Sequence, residues 1–164
     1  MSALLAEPLT EEAFAPFGAV LRAPVAAGQR DYFDEGLANL RAEAKPSLSI
    51  VRGTAVEDPP QISIIERHAF SSQSFLPLAP ARWIVVVAPG GDGGPDLARV
   101  RAFLPGPNEG VTFAPGTWHA PLTTLDAAAF AIVMWRNGGP LDEEILPVPP
   151  FAVHLPQGQD PLEP

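Results

Sequence analysis

The sequence predicts a mainly β chain folded as a compact antiparallel barrel or jelly roll, with short N-terminal helices and a proline-rich C-terminal strap. Three observations carry that prediction. Apolar runs of strand length recur between Pro, Gly and Asn punctuation from Ser47 to Trp135. One of them, Ile62-Ser63-Ile64-Ile65-Glu66-Arg67-His68, turns from oily to polar along its length, as a strand does when it runs to the mouth of a barrel. The 21 prolines among 164 residues, more than twice ordinary usage, leave little room for long helices. With 46% apolar residues the chain can bury a sizeable core as one domain, 1–164. Within it we read an N-terminal helical or loop region (1–45), a barrel (46–137) and an extended tail (138–164).

The elements follow in order. Leu9-Thr10-Glu11-Glu12-Ala13-Phe14 reads as a short helix, with Thr10 as cap, acids in the first turn, and Leu9 and Phe14 placed for a hydrophobic staple. Pro16 and Gly18 stop it. Arg30 to Ala44 is a second helix or a loop, because its apolar spacing is sparse. From Ser47 the pattern becomes strand-like: Leu48 and Ile50 alternate with serines, and Ile62, Ile64, Glu66 and His68 share one face of the next strand. Ile84-Val85-Val86-Val87-Ala88 is apolar on both faces, as in a central strand. Gly90 to Pro95 is a wide turn that lacks the Lys-Ser or Lys-Thr of a phosphate loop. Val100 to Leu104, Val111 to Phe113, Trp118 to Leu122 and Phe130 to Trp135 are further strands, and Asn137-Gly138-Gly139-Pro140 closes the barrel. Asp142-Glu143-Glu144 reads as a solvated helix turn. The tail, with Pro147, Pro149, Pro150, Pro156, Pro161 and Pro164, reads as a strap that pairs poorly with a sheet.

Composition excludes several function classes. A formal charge of −9 argues against nucleic acid and anionic membrane as partners, since both call for basic patches. With no cysteine, disulfides, thiolate nucleophiles and sulfur-ligated metals are ruled out. The N-terminal residues carry no cationic segment, and no apolar run reaches membrane-spanning length, so a cytoplasmic protein is expected.

Chemistry concentrates in two stretches. Glu66 and His68 lie two positions apart at the end of one strand, and His119 follows the turn Pro115-Gly116-Thr117-Trp118. If the stretches meet, His68 and His119 form an acid–base pair near neutrality, and Glu66 can orient one ring or act as base. The sequence requires no metal, yet Glu66, His68 and His119 are a ligand set that Ni, Mn, Fe or Zn accepts. Each residue also has a structural reading. His68 can be a rim residue paired with Glu66, His119 an exposed loop residue, and His154 structural or solvent-facing. Arg67 and Arg101 can be surface ion-pair partners, Gln73 a rim residue and Trp118 core.

Pro115-Gly116-Thr117-Trp118-His119 resembles the second motif of the cupin barrels, and Glu66-Arg67-His68 sits about where the first motif supplies its His and Glu. The wider set is similar to the ureidoglycolate lyase family: Leu9 to Phe14 with Phe17, Gly18 and Val20; Gln29 to Phe33; Glu66-Arg67-His68 with Gln73, Phe75 and Pro77; Val85 to Ala88; Pro95-Asp96-Leu97; Arg101-Ala102-Phe103; Gly110-Val111; and Trp118-His119 with Pro121-Leu122. Three places depart from the family pattern: Ala120 stands where a second histidine is usual, Glu109 where a Gln is, and the segment Asp34 to Arg41 is shortened and altered. The resemblance implies a homodimeric cytoplasmic enzyme with a cupin-like barrel that cleaves ureidoglycolate, a small-molecule substrate, to glyoxylate and urea in purine and allantoin nitrogen catabolism. In that reaction His68, His119 and Glu66 would move protons. Arg67 or Arg101 would clamp the substrate carboxylate, Gln73 would donate amide hydrogen bonds, and Trp118 would wall the pocket. The departures motivate an alternative, a divergent cupin that binds or converts another small hydroxy or oxo acid.

Overall fold

The structure, a computed structural model, describes residues 4–156; Pro161 and Pro164 of the expected strap lie outside the described residues. The elements run β1 (Leu4–Leu5), β2 (Glu7–Pro8), α1 (Glu11–Phe14), β3 (Gly18–Leu21), β4 (Lys45–Gly53), β5 (Gln61–Arg67), β6 (Gln73–Pro77) and β7 (Trp83–Ala88). They continue with β8 (Gly90–Gly91), β9 (Gly94–Pro95), β10 (Arg101–Leu104), β11 (Gly110–Phe113), β12 (Trp118–His119), β13 (Thr123–Thr124), β14 (Ala128–Arg136) and β15 (Glu144–His154). One sheet is ordered β1-β15-β5-β12-β7-β10-β2, with β13 also on β7; the other is ordered β3-β11-β6-β14-β4. Together they make the mainly β, nearly closed barrel that the strand pattern predicts.

The two sheets share one apolar core. Trp83, Val85 and Val87 of β7 and Phe103 of β10 meet Phe75, Phe113 and Phe130 from the opposite sheet, and the Trp83 and Phe130 rings touch edge to face at 4.9 Å. A second core lies on the other face of β7, where Ile84, Val86 and Ala88 pack with Trp118, Phe151 and Val153. β7 is thus buried on both faces, as its unbroken apolar run requires.

Helix α1 forms for the expected reasons: Thr10 Oγ1 accepts from the Ala13 N–H at 3.1 Å, and Leu9 and Phe14 both enter the first core. It is a single turn, and the expected second N-terminal helix is absent. Arg30 to Ala44 contains only a 3-10 turn, Asp34–Gly36, after which the chain runs extended, with Leu40 N–H on Phe70 O at 2.8 Å and Ser72 N–H on Ala38 O at 2.9 Å. A sparse apolar stripe cannot hold a helix against the core, so the backbone pairs with its neighbours instead.

The tail corrects the expected strap. Glu144–His154 is a full strand, antiparallel to β5, and the register shifts between Pro147 and Phe151, where the tail's clustered prolines fall. Proline cannot donate to a ladder, so it is tolerated where the ladder slips and where the far side is open; β1 covers only Val153 and His154. The alternation of β5 is also broken. Ile62 joins Ile65 in the second core while Ile64 is exposed, so the expected common face holds for Glu66 and His68 but not back to Ile62. Nor is Asp142-Glu143-Glu144 a solvated helix turn: Asp142 is buried, and Glu144 opens β15.

Gly18 gives this frame a sharp test. Its φ is +153°, and a Cβ there would lie 1.8 Å from the Thr112 carbonyl oxygen of β11. Gly18→Ala is expected to lower unfolding free energy by on the order of 2–3 kcal/mol, read as a reduced urea midpoint.

Candidate active site

Backbone pairing brings the two chemical stretches together. β12 lies beside β5 with His119 opposite Glu66, and the N–H of Gly116 donates to the carbonyl of His68 at 2.9 Å. Gly116 has φ +81°, a value that suits glycine, so the Pro-Gly turn can fold back onto the end of β5.

Both imidazoles are buried and held by main-chain carbonyls. His68 Nδ1 lies 2.7 Å from Asp142 O and His119 Nδ1 lies 2.9 Å from Thr117 O. A carbonyl only accepts, so both rings carry a proton on Nδ1. The two Nε2 atoms then differ. His119 Nε2 faces Gln73 Oε1 at 3.0 Å and Glu66 Oε1 at 3.3 Å, and its ring stacks on Phe113 with centroids 4.0 Å apart. His68 Nε2 is buried without a protein partner. Burial pushes the His68 pKa below 6.5; the nearby His119 adds to the lowering, while the Asp142 carbonyl, Glu66 and Glu143 oppose it. The ring centroids are 5.7 Å apart, and ligand atoms of Glu66, His68 and His119 lie within 4.8 Å of one another.

A cavity of about 260 Å³ opens beside His68 and Gln73. Ser47 and Ser49 of β4, Ile132, Met134 and Arg136 of β14, and Asp142 and Glu143 complete its lining. The β4 alternation places its polar residues inward: serines face the cavity, while Leu48 and Ile50 stand 72% and 69% exposed. Asp142 is anchored by Arg41, Nη2 to Oδ1 at 2.5 Å, and by the N–H groups of Asn137 and Gly138. Burial works to raise the Asp142 carboxyl, yet Arg41 and those N–H groups outweigh it and hold the group below 3.8.

Of the residues singled out in the sequence, Glu66, His68, Gln73 and His119 come together. Arg67, Arg101 and Trp118 do not. Arg67 pairs with Glu144 at 2.7 Å and lies over the Trp118 ring at 4.4 Å, within the second core, because strand parity turns both residues away from Glu66 and His119. Arg101 is held by Glu7 at 2.8 Å and by the Ala13 carbonyl at 2.9 Å. His154 is exposed at the end of β15. Ser47, Ser49, Arg136, Asp142 and Glu143 escaped the sequence reading. One signal for Arg136 was available: Ile132, Met134 and Arg136 alternate along β14 from oily to charged, the same signature that marks Glu66 and His68.

The family model described as ureidoglycolate lyase matches residues 1–154. Similar proteins named ureidoglycolate lyase include one from Chelativorans sp. (strain BNC1), 35% identical over 96% of this chain and 99% of its own. Another, from Mesorhizobium japonicum, is 36% identical over 95% of this chain and all of its own length, and one from Burkholderia cepacia is 40% identical over 82% of this chain and 80% of its own.

The lowered His68 pKa fixes the sign of a pH effect in the metal-free protein. The unfolded chain takes up a proton on this imidazole as pH falls below 6.5, whereas the folded protein does so only at lower pH, so stability is full above 6.5 and declines below it. Urea midpoints measured down to about pH 5 are expected to fall with a slope that His68→Gln reduces.

Proposed function

This chain belongs to the ureidoglycolate lyase family, and we propose that it cleaves ureidoglycolate to glyoxylate and urea by acid–base elimination in the cavity beside His68. The observation that carries this reading is the buried Nε2 of His68, which has no protein partner on a ring that lines the cavity and which keeps a free lone pair because Asp142 O holds the proton on Nδ1. The substrate is a carbinolamine. Its hydroxyl proton leaves to His68 Nε2, the O–H electron pair closes the C=O bond of glyoxylate, and the C–N pair departs with the urea nitrogen, which takes a proton. His119 supplies that proton from Nε2, where Glu66 and Gln73 oxygens face it and Glu66 balances the charge of the reprotonated ring. A lowered pKa keeps His68 neutral and ready to accept near pH 7.

The same donor set fits a divalent ion. With both Nδ1 atoms tied to carbonyls, the Nε2 lone pairs of His68 and His119 and the Glu66 carboxylate can hold Ni, Mn, Fe or Zn, provided His119 Nε2 is unprotonated. Such an ion, when bound, supplies Lewis-acid polarisation of a substrate oxygen.

We also propose that the protein works as a homodimer in the cytoplasm, within purine and allantoin nitrogen catabolism. The outer side of the β4, β14 and β6 sheet supports the pairing, since Leu48 and Ile50 are exposed and Leu76, across Ala131 from Ile50, is 38% exposed. Among the described residues no helix is long and apolar enough to cross a membrane.

Glyoxylate release from racemic ureidoglycolate, followed with a coupled assay, is expected to exceed the spontaneous rate and to fall roughly 10²–10⁴-fold in His68→Ala and His119→Ala. A rate no higher than the spontaneous one, with or without added divalent metal, would refute the activity. Sedimentation is expected to give a dimer that Leu48→Asp with Ile50→Asp converts to monomer; a wild-type monomer defeats the assembly.

A further inference from the structure

Two cations lie together at the end of the β14–β4 ladder, one of them, Arg136, lining the cavity, and neither was among the residues expected to hold substrate. Arg136 and Lys45 are direct partners in the antiparallel β14–β4 ladder. Residues opposite one another in such a ladder project to the same face. Along this face the next pairs inward are Met134 with Ser47 and Ile132 with Ser49, all four lining the cavity, and then Phe130 with Val51, which pack into the core. The row thus runs from oil through hydroxyls to a pair of positive charges.

That pair breaks a local rule. Like charges directly opposite in a ladder repel, and this acidic chain has only ten Lys and Arg residues, of which Lys45 is the one lysine. Neither charge is well satisfied within the protein. Arg136 reaches its nearest carboxylate, Asp142 Oδ2, only at 3.7 Å, and that carboxylate is already taken by Arg41 and the N–H groups of Asn137 and Gly138. The paired arginines at positions 22, 67, 82, 99 and 101 all reach their carboxylates at 3.0 Å or less. The Arg136 side chain is 54% exposed, and Lys45 makes no ion pair among the described residues. An anion bound between them would relieve the repulsion and give the guanidinium fork a planar two-oxygen ligand.

We propose that Arg136, backed by the charge of Lys45, binds the substrate carboxylate and makes this site select small carboxylic acids over their neutral amides. The proposal rests on the lyase reading for its substrate, while the anion preference stands on the cation pair itself. A carboxylate held at Arg136 leaves the rest of a small hydroxy acid to extend along the cavity toward His68 and Gln73, which share its lining.

The test uses the full chain and the variants Arg136→Gln, Arg136→Lys and Lys45→Gln, each checked for an unchanged melting temperature. For ureidoglycolate turnover, Arg136→Gln is expected to raise KM roughly 10- to 100-fold with kcat altered far less, Arg136→Lys to recover part of the loss, and Lys45→Gln to raise KM a few-fold. An unchanged KM in Arg136→Gln, or a loss confined to kcat, overturns the proposal. Calorimetric titration with glycolate and with glycolamide separates this question from the lyase reading. A wild-type preference for the acid that disappears in Arg136→Gln supports the anion site even if no glyoxylate is released, and equal binding of acid and amide by the wild type overturns it.

Discussion

The hydrogen bond from His68 Nδ1 to the main-chain carbonyl of Asp142 is the constraint on which the site depends. It chooses the tautomer and leaves a bare Nε2 on a ring that lines the cavity. That carbonyl is itself placed by the Asp142 carboxylate, which Arg41 and the N–H groups of Asn137 and Gly138 grip from three directions. Removing one partner of so buried a pair costs about 3–5 kcal/mol, because the other charge is left without compensation. A residue from the N-terminal loop and the turn between β14 and β15 therefore jointly set the protonation pattern of an imidazole far from both in sequence.

The second constraint is the doubly buried sheet. Because β7 packs apolar side chains on both faces, it cannot shift register without exposing one core or the other, and its neighbour β12 inherits that rigidity. β12 has only two residues, and its parity assigns them opposite tasks: Trp118 enters the second core and His119 enters the site. Rigid support of this kind holds His119 opposite Glu66.

The departures from the family pattern acquire physical meaning in this frame. Ala120 packs in the second core beside Trp118, on the face away from Glu66 and His119, so the smaller residue removes no group from the cavity. Glu109 caps its own turn at Gly106 and pairs with Arg22. The altered segment ends in Arg41, which anchors Asp142. Each departure falls on a supporting part of the cupin-like frame, and Glu66, His68 and His119 stay together.

Period and punctuation alone determined the β class, the capped turn at Thr10, the doubly apolar strand at Ile84 and the pairing of Glu66 with His68 on one strand face, because these are local properties of the backbone. They also marked His119, since a Pro-Gly turn is a local signal. Only the tertiary structure decided which face of each strand met a core. Arg67, Arg101 and Trp118 went to other partners, the serines of β4 faced inward while its leucine and isoleucine faced out, and Asp142 and Glu144 were drawn from an acidic run that looked solvated. The proline tail joined the sheet for the same reason. Alternation says that a strand has two faces, but what lies against each face is set by partners far away in sequence, and so is the choice between water, core and cavity.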